Sequence, residues 1–468
     1  MIHSKIGGMY MKKSIIRLQE IRINNFKNIE EGKVSLKSYI NLKKNINSSY
    51  KKKSDILGIY GQNGSGKTAL VDIIAFLRSV LLGKPLTEDA QYFITQYRSK
   101  CNLGFTFLME DNEEKLLVYY DIEIKRNVEN NEIVISKEVL SYSPLTNEKR
   151  RVKTKVIDYN MEDNAIFKPL CRYNELVSGN KELLINIAVA KVLAQESGES
   201  FIFNKRSLDI FNRGFRDNKN YVKIINALRH FAEFNLFIIK NYLSKFTVRL
   251  ENNKNIILED HVNLFESSKV TEEGYGILKR ILEQINTVIR FIIPGLNIDI
   301  ADYGSELDKK GNKSINVELV SVREDKRIPL RYESNGIKKI ISILTALIAM
   351  YNYRGVCLVV DELDSGIFEY LLGEILNILE ENAKGQFIFT SHNLRALEKL
   401  SKGSIVFTTI NPKNRYVRLT NVKSNNNLRD FYLRAIYLGG QKEKVYEETN
   451  TFEINYAFRK AGKIINEK

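Results

Sequence analysis

Residues 61–68 read Gly-Gln-Asn-Gly-Ser-Gly-Lys-Thr. An apolar run from Ile56 to Tyr60 precedes them, and a helical pattern follows, with one apolar stripe from Leu70 to Leu81. A glycine-rich loop between a strand and a helix surrounds phosphate oxygens with backbone N–H groups, and the helix points its positive end at the same charge. This is the Walker A pattern, and it predicts a nucleotide-binding chain.

The polar side chains of this loop have separate expected tasks. Lys67 is expected to reach the β- and γ-phosphates, and the Thr68 hydroxyl is expected to ligate Mg²⁺. The other residues predicted to contact the nucleotide from this loop are Asn63, Gly64, Ser65 and Gly66.

A second apolar strand pattern, Val356 to Val360, ends in Asp361 and Glu362. This is the form of a Walker B motif, in which the Asp holds Mg²⁺ through water and the Glu takes a proton from the attacking water. Many buried strands end in acidic turns, so the pair alone is weak evidence. The segments around it strengthen the interpretation.

Two of these segments follow the acidic pair. Asp364 lies in the loop directly after it, and the next apolar strand, Phe387 to Thr390, ends in Ser391-His392-Asn393. A His at a strand end beside a Walker B unit can donate a hydrogen bond to the γ-phosphate. We therefore predict His392 as a catalytic residue together with Glu362.

A third segment precedes the Walker B strand. Glu333-Ser334-Asn335-Gly336 opens a helical pattern that runs to Tyr351. A Ser, a Gly and the free N–H groups of a helix start form an anion site. Ser334 and Gly336 are therefore predicted to bind phosphate supplied by another subunit.

Length and composition limit the class of protein. A chain of 468 residues with 43% hydrophobic content can form two or three structural units. Its three cysteines are far apart, which favours neither a disulfide framework nor a zinc site and fits a reducing cytoplasm. The first residues lack the apolar core of a signal peptide, and the longest apolar stretch, 340–350, is too short to cross a bilayer. We expect a cytoplasmic protein without a membrane role.

The formal net charge of +16 has two explanations of about equal weight. A strongly basic chain attracts polyanions, of which nucleic acid is the first candidate. Alternatively, a Lys-, Asn- and Ile-rich composition reflects an AT-rich genome. The basic clusters 51–53 and 149–155 are not interleaved with the aromatic residues typical of single-strand binding.

The pattern along the chain predicts an α/β fold. Residues 15–34 and 104–142 alternate as strands do, and helical patterns include Tyr221 to Lys245 and Tyr275 to Ile293. We predict an N-terminal lobe with Walker A (1–100), an antiparallel β subdomain (101–175), a helical insertion (176–296), a C-terminal lobe (297–425) and a helical tail (426–468).

The order of these motifs resembles a known group of proteins. Asn25-Phe26-Lys27, Walker A, a long insertion, Glu-Ser-x-Gly-x-Lys, Asp-Glu and Ser-His are similar in order to the ABC-type ATPase heads of the SMC, RecF and OLD group. Within that group the chain resembles the stand-alone ATPases of prokaryotic antiphage systems such as Septu, PARIS and the abortive-infection loci. Ser365-Gly-Ile-Phe departs from the Leu-His-Pro common in those proteins.

The resemblance implies a P-loop NTPase fold of the ABC-head type and a head-to-tail homodimer that encloses two ATP molecules with Mg²⁺. Each ATP would meet the Walker A loop of one chain and Ser334 and Gly336 of the other. Asp364 would lie in the loop that crosses the interface, and Thr68 and Asp361 would hold the metal. The glutamine that ligates Mg²⁺ in relatives has no clear counterpart, with Gln91 and Gln96 as the nearby choices.

The remaining function is expected to lie in a separate protein. About 75 residues follow His392, too few for the Toprim nuclease of OLD proteins. We therefore expect a slow ATPase that controls a separate effector, a nuclease, in antiphage defence. Two alternatives stay open: a RecF-like repair ATPase that acts by binding DNA, and a scaffold in which ATP is a structural ligand.

Overall fold

The computed structural model of this chain describes most of its residues. The described ranges are 14–36, 55–111, 114–127, 132–145, 152–215, 219–240, 245–246, 249–252, 254–257, 262–263, 266–307, 313–418, 428–437, 443–447 and 450–464. The basic clusters at 51–53 and 149–151 lie outside them. Within these ranges, no helix combines the length and the apolar character that crossing a membrane requires.

The first 160 residues contribute mainly strands. In chain order the elements are β1 (Ile15–Phe26), β2 (Ile29–Ser35), β3 (Asp55–Tyr60), α1 (Lys67–Leu81), β4 (Lys100–Asp111), β5 (Glu114–Arg126), β6 (Ile133–Pro144) and β7 (Thr154–Asn160).

The middle of the chain is mixed. Its elements are α2 (Leu170–Val177), α3 (Lys181–Ser197), α4 (Lys205–Gly214), α5 (Lys219–His230), β8 (Leu236–Ile239), β9 (Lys245–Phe246), β10 (Arg249–Asn252), β11 (Lys254–Ile257), β12 (Val262–Asn263), β13 (Ser268–Thr271) and α6 (Glu272–Ile292).

The last part alternates strands and helices. Its elements are β14 (Asn297–Leu307), β15 (Lys313–Arg323), β16 (Lys326–Pro329), α7 (Asn335–Asn352), β17 (Cys357–Val360), α8 (Glu369–Asn382), β18 (Gln386–Thr390), α9 (Arg395–Lys399), β19 (Ile405–Thr408), β20 (Tyr416–Val417), α10 (Leu428–Tyr437) and α11 (Thr451–Ile464).

A central, mostly parallel sheet carries both nucleotide motifs. Its strand order is β20-β19-β3-β18-β17-β8, and only β20 pairs antiparallel. Every residue of β3, β17 and β18 is buried, as expected for strands covered on both faces. Because parallel strands end at the same edge of a sheet, the segments after β3, β17 and β18 meet at one edge.

A second, antiparallel sheet has the order β2-β1-β4-β5-β6-β7. The alternating patterns at 15–34 and 104–142 form it together, so the N-terminal hairpin and the predicted β subdomain share one sheet. The buried pair Arg17 and Asp55 joins this sheet to the central one. The Gln386 side chain adds two hydrogen bonds of 2.8 Å to the backbone of Leu18. The two sheets are therefore tied together next to the Walker A strand.

The predicted helix from Tyr221 to Lys245 is wrong beyond Asn235. Helix α5 ends at His230, and a π-helical turn, Phe231–Asn235, continues it. Strand β8 then pairs in parallel with β17 at the edge of the central sheet. The short run Leu236–Ile239 fits either a helix or a strand by its apolar pattern, and only pairing with residues more than a hundred positions away decides. The predicted insertion at 176–296 is accordingly not wholly helical, and its boundaries remain predictions.

The other long predicted helix agrees with the structure. Helix α6 ends at Ile292, just before Pro294-Gly295, and packs on the sheet of β13, β15 and β14. That sheet leads through β16 to α7, whose first residues are the predicted phosphate-binding segment. The α/β P-loop fold expected from the sequence is confirmed.

Candidate functional site

The Walker A loop connects β3 to α1 with the backbone that such a loop requires. Gly64 and Gly66 have φ angles of 76° and 98°, in the left-handed region that side chains disfavour. Helix α1 begins at Lys67, so its free N–H groups face the loop. Substituting either glycine would strain the backbone at the point where it curves around an anion.

The ammonium group of Lys67 lies inside this loop. Its Nζ donates hydrogen bonds to the carbonyl oxygens of Gly61 at 2.9 Å and Gln62 at 3.0 Å. Burial lowers the pKa of Lys67, and the nearby carboxylates of Asp361 and Asp364 oppose that shift. The loop therefore already holds its cation where phosphate oxygens would bind.

The Walker B acid lies opposite the start of α1. The Thr68 hydroxyl donates to Oδ1 of Asp361 at 3.5 Å, although 293 positions separate them. The hydroxyl of Thr390, at the end of β18, donates to the same oxygen at 2.5 Å. The carboxylate of Asp361, which is 2% exposed, is thus oriented toward the residue predicted to share the metal with it.

Thr390 also positions the second acid. The backbone N–H of Glu362 donates to the Thr390 hydroxyl oxygen at 2.7 Å. Glu362 has a φ of 48°, which is uncommon for a residue with a side chain and marks strain that the surroundings must support. Thr390 was not among the site residues predicted from the sequence. The sequence feature that could have identified it is a hydroxyl residue just before Ser-His, at the end of the strand next to Walker B.

The loop after Walker B contacts the segment predicted to sense the γ-phosphate. The backbone N–H of His392 donates to Oδ2 of Asp364 at 3.0 Å. Burial lowers the pKa of His392, and the charge of Lys67 lowers it further. The imidazole is therefore mostly neutral near pH 7, with one N–H available as a donor and one nitrogen available as an acceptor.

Ser334 and Gly336 begin helix α7. The Ser334 hydroxyl caps this helix by accepting from the N–H of Ile337 at 3.3 Å. A Cβ at Gly336 would lie 2.0 Å from the carbonyl oxygen of Gly366, in the loop after Walker B. Only glycine fits this approach, so the start of α7 rests directly on that loop.

Lys339 makes a second connection between α7 and the Walker B strand. Its Nζ donates to the backbone oxygen of Asp361 at 3.2 Å, and the residue is 5% exposed. Burial lowers the pKa of Lys339, while Asp361, Glu362 and Asp364 act in the opposite direction. Lys339 was not among the site residues predicted from the sequence.

Side chains from distant segments hold the Walker A loop from outside. The Ser65 hydroxyl turns into the protein, where it bonds the Gln62 carbonyl oxygen at 2.5 Å and also contacts Thr408. The Asn28 amide donates to the Gly64 carbonyl oxygen at 2.5 Å. Asn63 is exposed, as is Gly64. These partners were not predicted, because nothing in the sequence links them to the loop.

A lysine follows the strand that lies next to Walker B. Strand β8 ends with Ile239 opposite Val360, and the Asp361 N–H donates to the Ile239 carbonyl oxygen at 2.9 Å. The next residue is Lys240, whose ammonium pairs with Asp72 of α1 at 2.5 Å. A cation therefore occupies the strand end beside the Walker B acid, and a cation cannot ligate Mg²⁺.

These residues together fit a magnesium-bound triphosphate. The loop offers backbone donors, a lysine and a helix start, which suit phosphate oxygens. Thr68 and Asp361 offer a hydroxyl and a carboxylate, which are hard oxygen ligands suited to Mg²⁺.

Comparisons with solved structures give low similarity. An Smc head domain with an extended coiled coil bound to the C-terminal domain of ScpA, from Pyrococcus furiosus, is 12% identical, with 86% of this chain and 96% of that chain covered and a TM-score of 0.41. The recombination mediator protein RecF bound to ATP is 13% identical, with coverages of 81% and 94% and a TM-score of 0.33. An SMC head domain from Thermotoga maritima is 15% identical, with coverages of 86% and 99% and a TM-score of 0.35.

No curated protein matches the chain. A protein family does match, over residues 56–398, which is well over half of the chain and includes both nucleotide motifs. The chain therefore belongs to the family described as "AAA domain, putative AbiEii toxin, Type IV TA system".

Proposed function

We propose that this protein binds and hydrolyses ATP in sites shared between two copies of the chain, and that it thereby controls a separate effector. The observation that carries this proposal is the meeting of Thr68, Asp361 and Thr390 at one carboxylate oxygen. Residues from α1, β17 and β18 converge there with hydroxyl and carboxylate groups aimed at a common point. A merely structural group of hydrogen bonds would not need the strained Glu362 beside it.

Each residue then has a defined task in hydrolysis. Mg²⁺, when bound between Thr68 and Asp361, would neutralise charge on the β- and γ-phosphates. Lys67 binds the same phosphates, and Glu362 accepts the proton of the attacking water. His392 donates a ring N–H to the γ-phosphate. Its lowered pKa keeps the imidazole ring in the neutral form.

The second half of each site would come from the other copy. Ser334 and Gly336 present a helix start, and such a start binds anions. The contacts of Gly336 with Gly366 and of Lys339 with Asp361 join this helix start to the protein's own Walker B segment. Closure at the partner's ATP would therefore act on the general base Glu362. The same contact allows a homodimer or a larger homo-oligomer in which it recurs.

The effector that we propose is a separate nuclease, and the setting is antiphage defence. The family description names a putative AbiEii toxin and a type IV toxin–antitoxin system, which supports a role in such a locus. We propose an ATPase head formed by 1–100 and 297–425, to which the predicted insertion (176–296) contributes strand β8 of the central sheet. The β subdomain (101–175) extends the sheet of β1 and β2, and the tail (426–468) would be an addition to the head.

A second candidate function is a RecF-like ATPase that acts by binding DNA. The net charge of +16 favours it, because a basic chain releases counterions when it binds a polyanion. Binding of the isolated protein to duplex or gapped DNA, with an affinity that falls steeply with salt, would support this candidate. Co-purification of a nuclease with the native protein would favour the effector model instead.

Substitutions of Lys67 and Glu362 test the proposal. Lys67→Ala should abolish nucleotide binding, measured with a fluorescent ATP analogue. Glu362→Gln should keep binding and lower phosphate release by about 100-fold or more, because a general base contributes that much. Unchanged hydrolysis in either variant would refute the assigned roles. Tightly bound ATP in the wild-type protein, with no phosphate release over hours, would instead indicate a scaffold.

A further inference from the structure

Helix α3 (Lys181–Ser197) is apolar on two opposite faces. One face packs into the main hydrophobic core through Leu183, Ile187, Ala190 and Ala194. A soluble helix with one buried face normally turns a polar face outward. The outward face of α3 departs from that rule.

The outward face carries an apolar stripe, which we call the α3 stripe. Each member lies three or four residues from another member, so all five share one side of the helix, and they are Leu184, Ile185, Ala188, Val189 and Val192. The four larger side chains are between 46% and 59% exposed. Single exposed apolar residues are ordinary, whereas a contiguous row along one helix marks an interaction surface.

The two ends of the α3 stripe carry opposite charges. Lys181 lies at its N-terminal end and Glu196 at its C-terminal end, and both are exposed. Glu182, next to Lys181, is exposed as well, and its charge is paired with Arg213 of α4 at 3.8 Å. When two such helices lie antiparallel across a two-fold axis, each Lys181 faces the Glu196 of the other copy. Ile185 then faces Val192 of the other copy, and the axis passes beside the small Ala188, which permits close approach.

We propose that the α3 stripe binds the α3 stripe of a second copy of this chain, as an antiparallel helix pair with two-fold symmetry. A second copy is the expected partner, because the charged and apolar side chains of the stripe are arranged symmetrically about the middle of the helix, near Ala188. An isologous contact of this kind uses one surface patch twice.

The size of the contact sets its expected strength. One helix pair buries less than the roughly 1,200 Å² of a standard stable interface, so the association should be weak and concentration-dependent. It does not involve the Walker residues, and it should form without nucleotide. Combined with closure at the ATP sites, a second two-fold contact would join dimers into larger assemblies.

A cysteine at the axis tests the geometry. In a Cys171→Ser background, which removes an exposed thiol, Ala188→Cys should give a disulfide-linked dimer on mild oxidation without ATP. The matched control is Glu182→Cys, which is exposed on the same helix. In the proposed pair the two sulfurs introduced at position 182, one in each copy, would lie about 20 Å apart, because a helix rises about 1.5 Å per residue.

A charge exchange tests the pairing independently. Lys181→Glu and Glu196→Lys should each weaken self-association by about threefold to tenfold in sedimentation, because each creates two like-charge contacts. The double exchange should restore it. Absence of the Ala188→Cys crosslink, or equal crosslinking of the control, would overturn the proposal. So would single exchanges that leave self-association unchanged. None of these outcomes depends on ATP hydrolysis.

Discussion

The hydroxyl group of Thr390 joins the two acids of the Walker B segment. It donates to Asp361 and accepts from the N–H of Glu362, and both distances are those of good hydrogen bonds. A residue that orients both the proposed metal ligand and the proposed general base should affect turnover more than binding. The sequence could place both acids, but not the threonine that aligns them, because that contact crosses between two strands.

Thr390→Val should therefore lower kcat for ATP hydrolysis by about tenfold or more while KM changes little. It should also cost about 1–3 kcal/mol of unfolding free energy, because a buried carboxylate loses a donor. Thr390→Ser is the matched control, since it keeps the hydroxyl. Steady-state phosphate release and urea unfolding measure the two effects. A valine variant with wild-type kcat would contradict the assigned role.

The protonation of His392 gives a second prediction at this scale. Its pKa in the folded protein lies below 6.5, because of burial first and the charge of Lys67 second. As pH falls below 6.5, the unfolded chain takes up this proton before the folded chain does. The contribution of His392 to stability is therefore present above pH 6.5 and declines as pH falls toward the folded pKa.

NMR titration of the histidine rings measures this value. The signal that disappears in a His392→Gln variant identifies the residue. A midpoint below 6.5 is expected, and Lys67→Ala should move it upward because a nearby positive charge is removed. A midpoint at or above 6.5 in the wild-type protein would contradict the described environment.

At the scale of elements, the start of α7 and the loop after Walker B behave as one unit. Gly336 lies against the backbone of Gly366, and Lys339 reaches the backbone of Asp361. Both contacts join the helix that would serve the partner's ATP to the strand that serves the chain's own ATP. Such a connection is a physical basis for coupling two sites.

Gly336→Ala should break this contact. The added methyl group would meet the Gly366 carbonyl oxygen at 2.0 Å, and backbone must move to admit it. We expect a loss of about 1–3 kcal/mol in unfolding free energy, typical of overpacking, together with reduced ATP turnover.

The control for this substitution is Gly276→Ala in helix α6, where a Cβ meets nothing within 4 Å. It should stabilise the protein by about 0.5–1 kcal/mol, because alanine favours a helix over glycine. Urea unfolding compares the two variants. Equal midpoints for Gly336→Ala and the wild-type protein would show that α7 does not rest on the loop.

The elements also show which parts of the fold could be predicted. The P-loop strand and helix, the Walker B strand and helix α7 each have strong local patterns. Strand β8 does not, because four apolar residues after a helix have no period of their own. Its pairing with β17 places Lys240 at the strand end beside Asp361.

At the scale of the whole molecule, the chain brings two motifs together that are nearly three hundred positions apart. The distance from the Thr68 hydroxyl to Asp361 is 3.5 Å. The motif order alone predicted that convergence. The contacts that Asn28 and Thr408 make with the Walker A loop are seen only in the folded chain. The remaining claim is that each site is completed by Ser334 of another copy.

Mixing two inactive variants is the most direct test of that claim. Lys67→Ala removes the Walker A function, and Ser334→Arg blocks the helix start, so neither homodimer should hydrolyse ATP. A mixed dimer would contain one intact site, with Lys67 from one chain and Ser334 from the other. Random pairing of equal amounts predicts a recovery of about a quarter of wild-type ATPase activity. Activity that stays at the level of the separate variants, although mixed dimers form, would contradict shared sites.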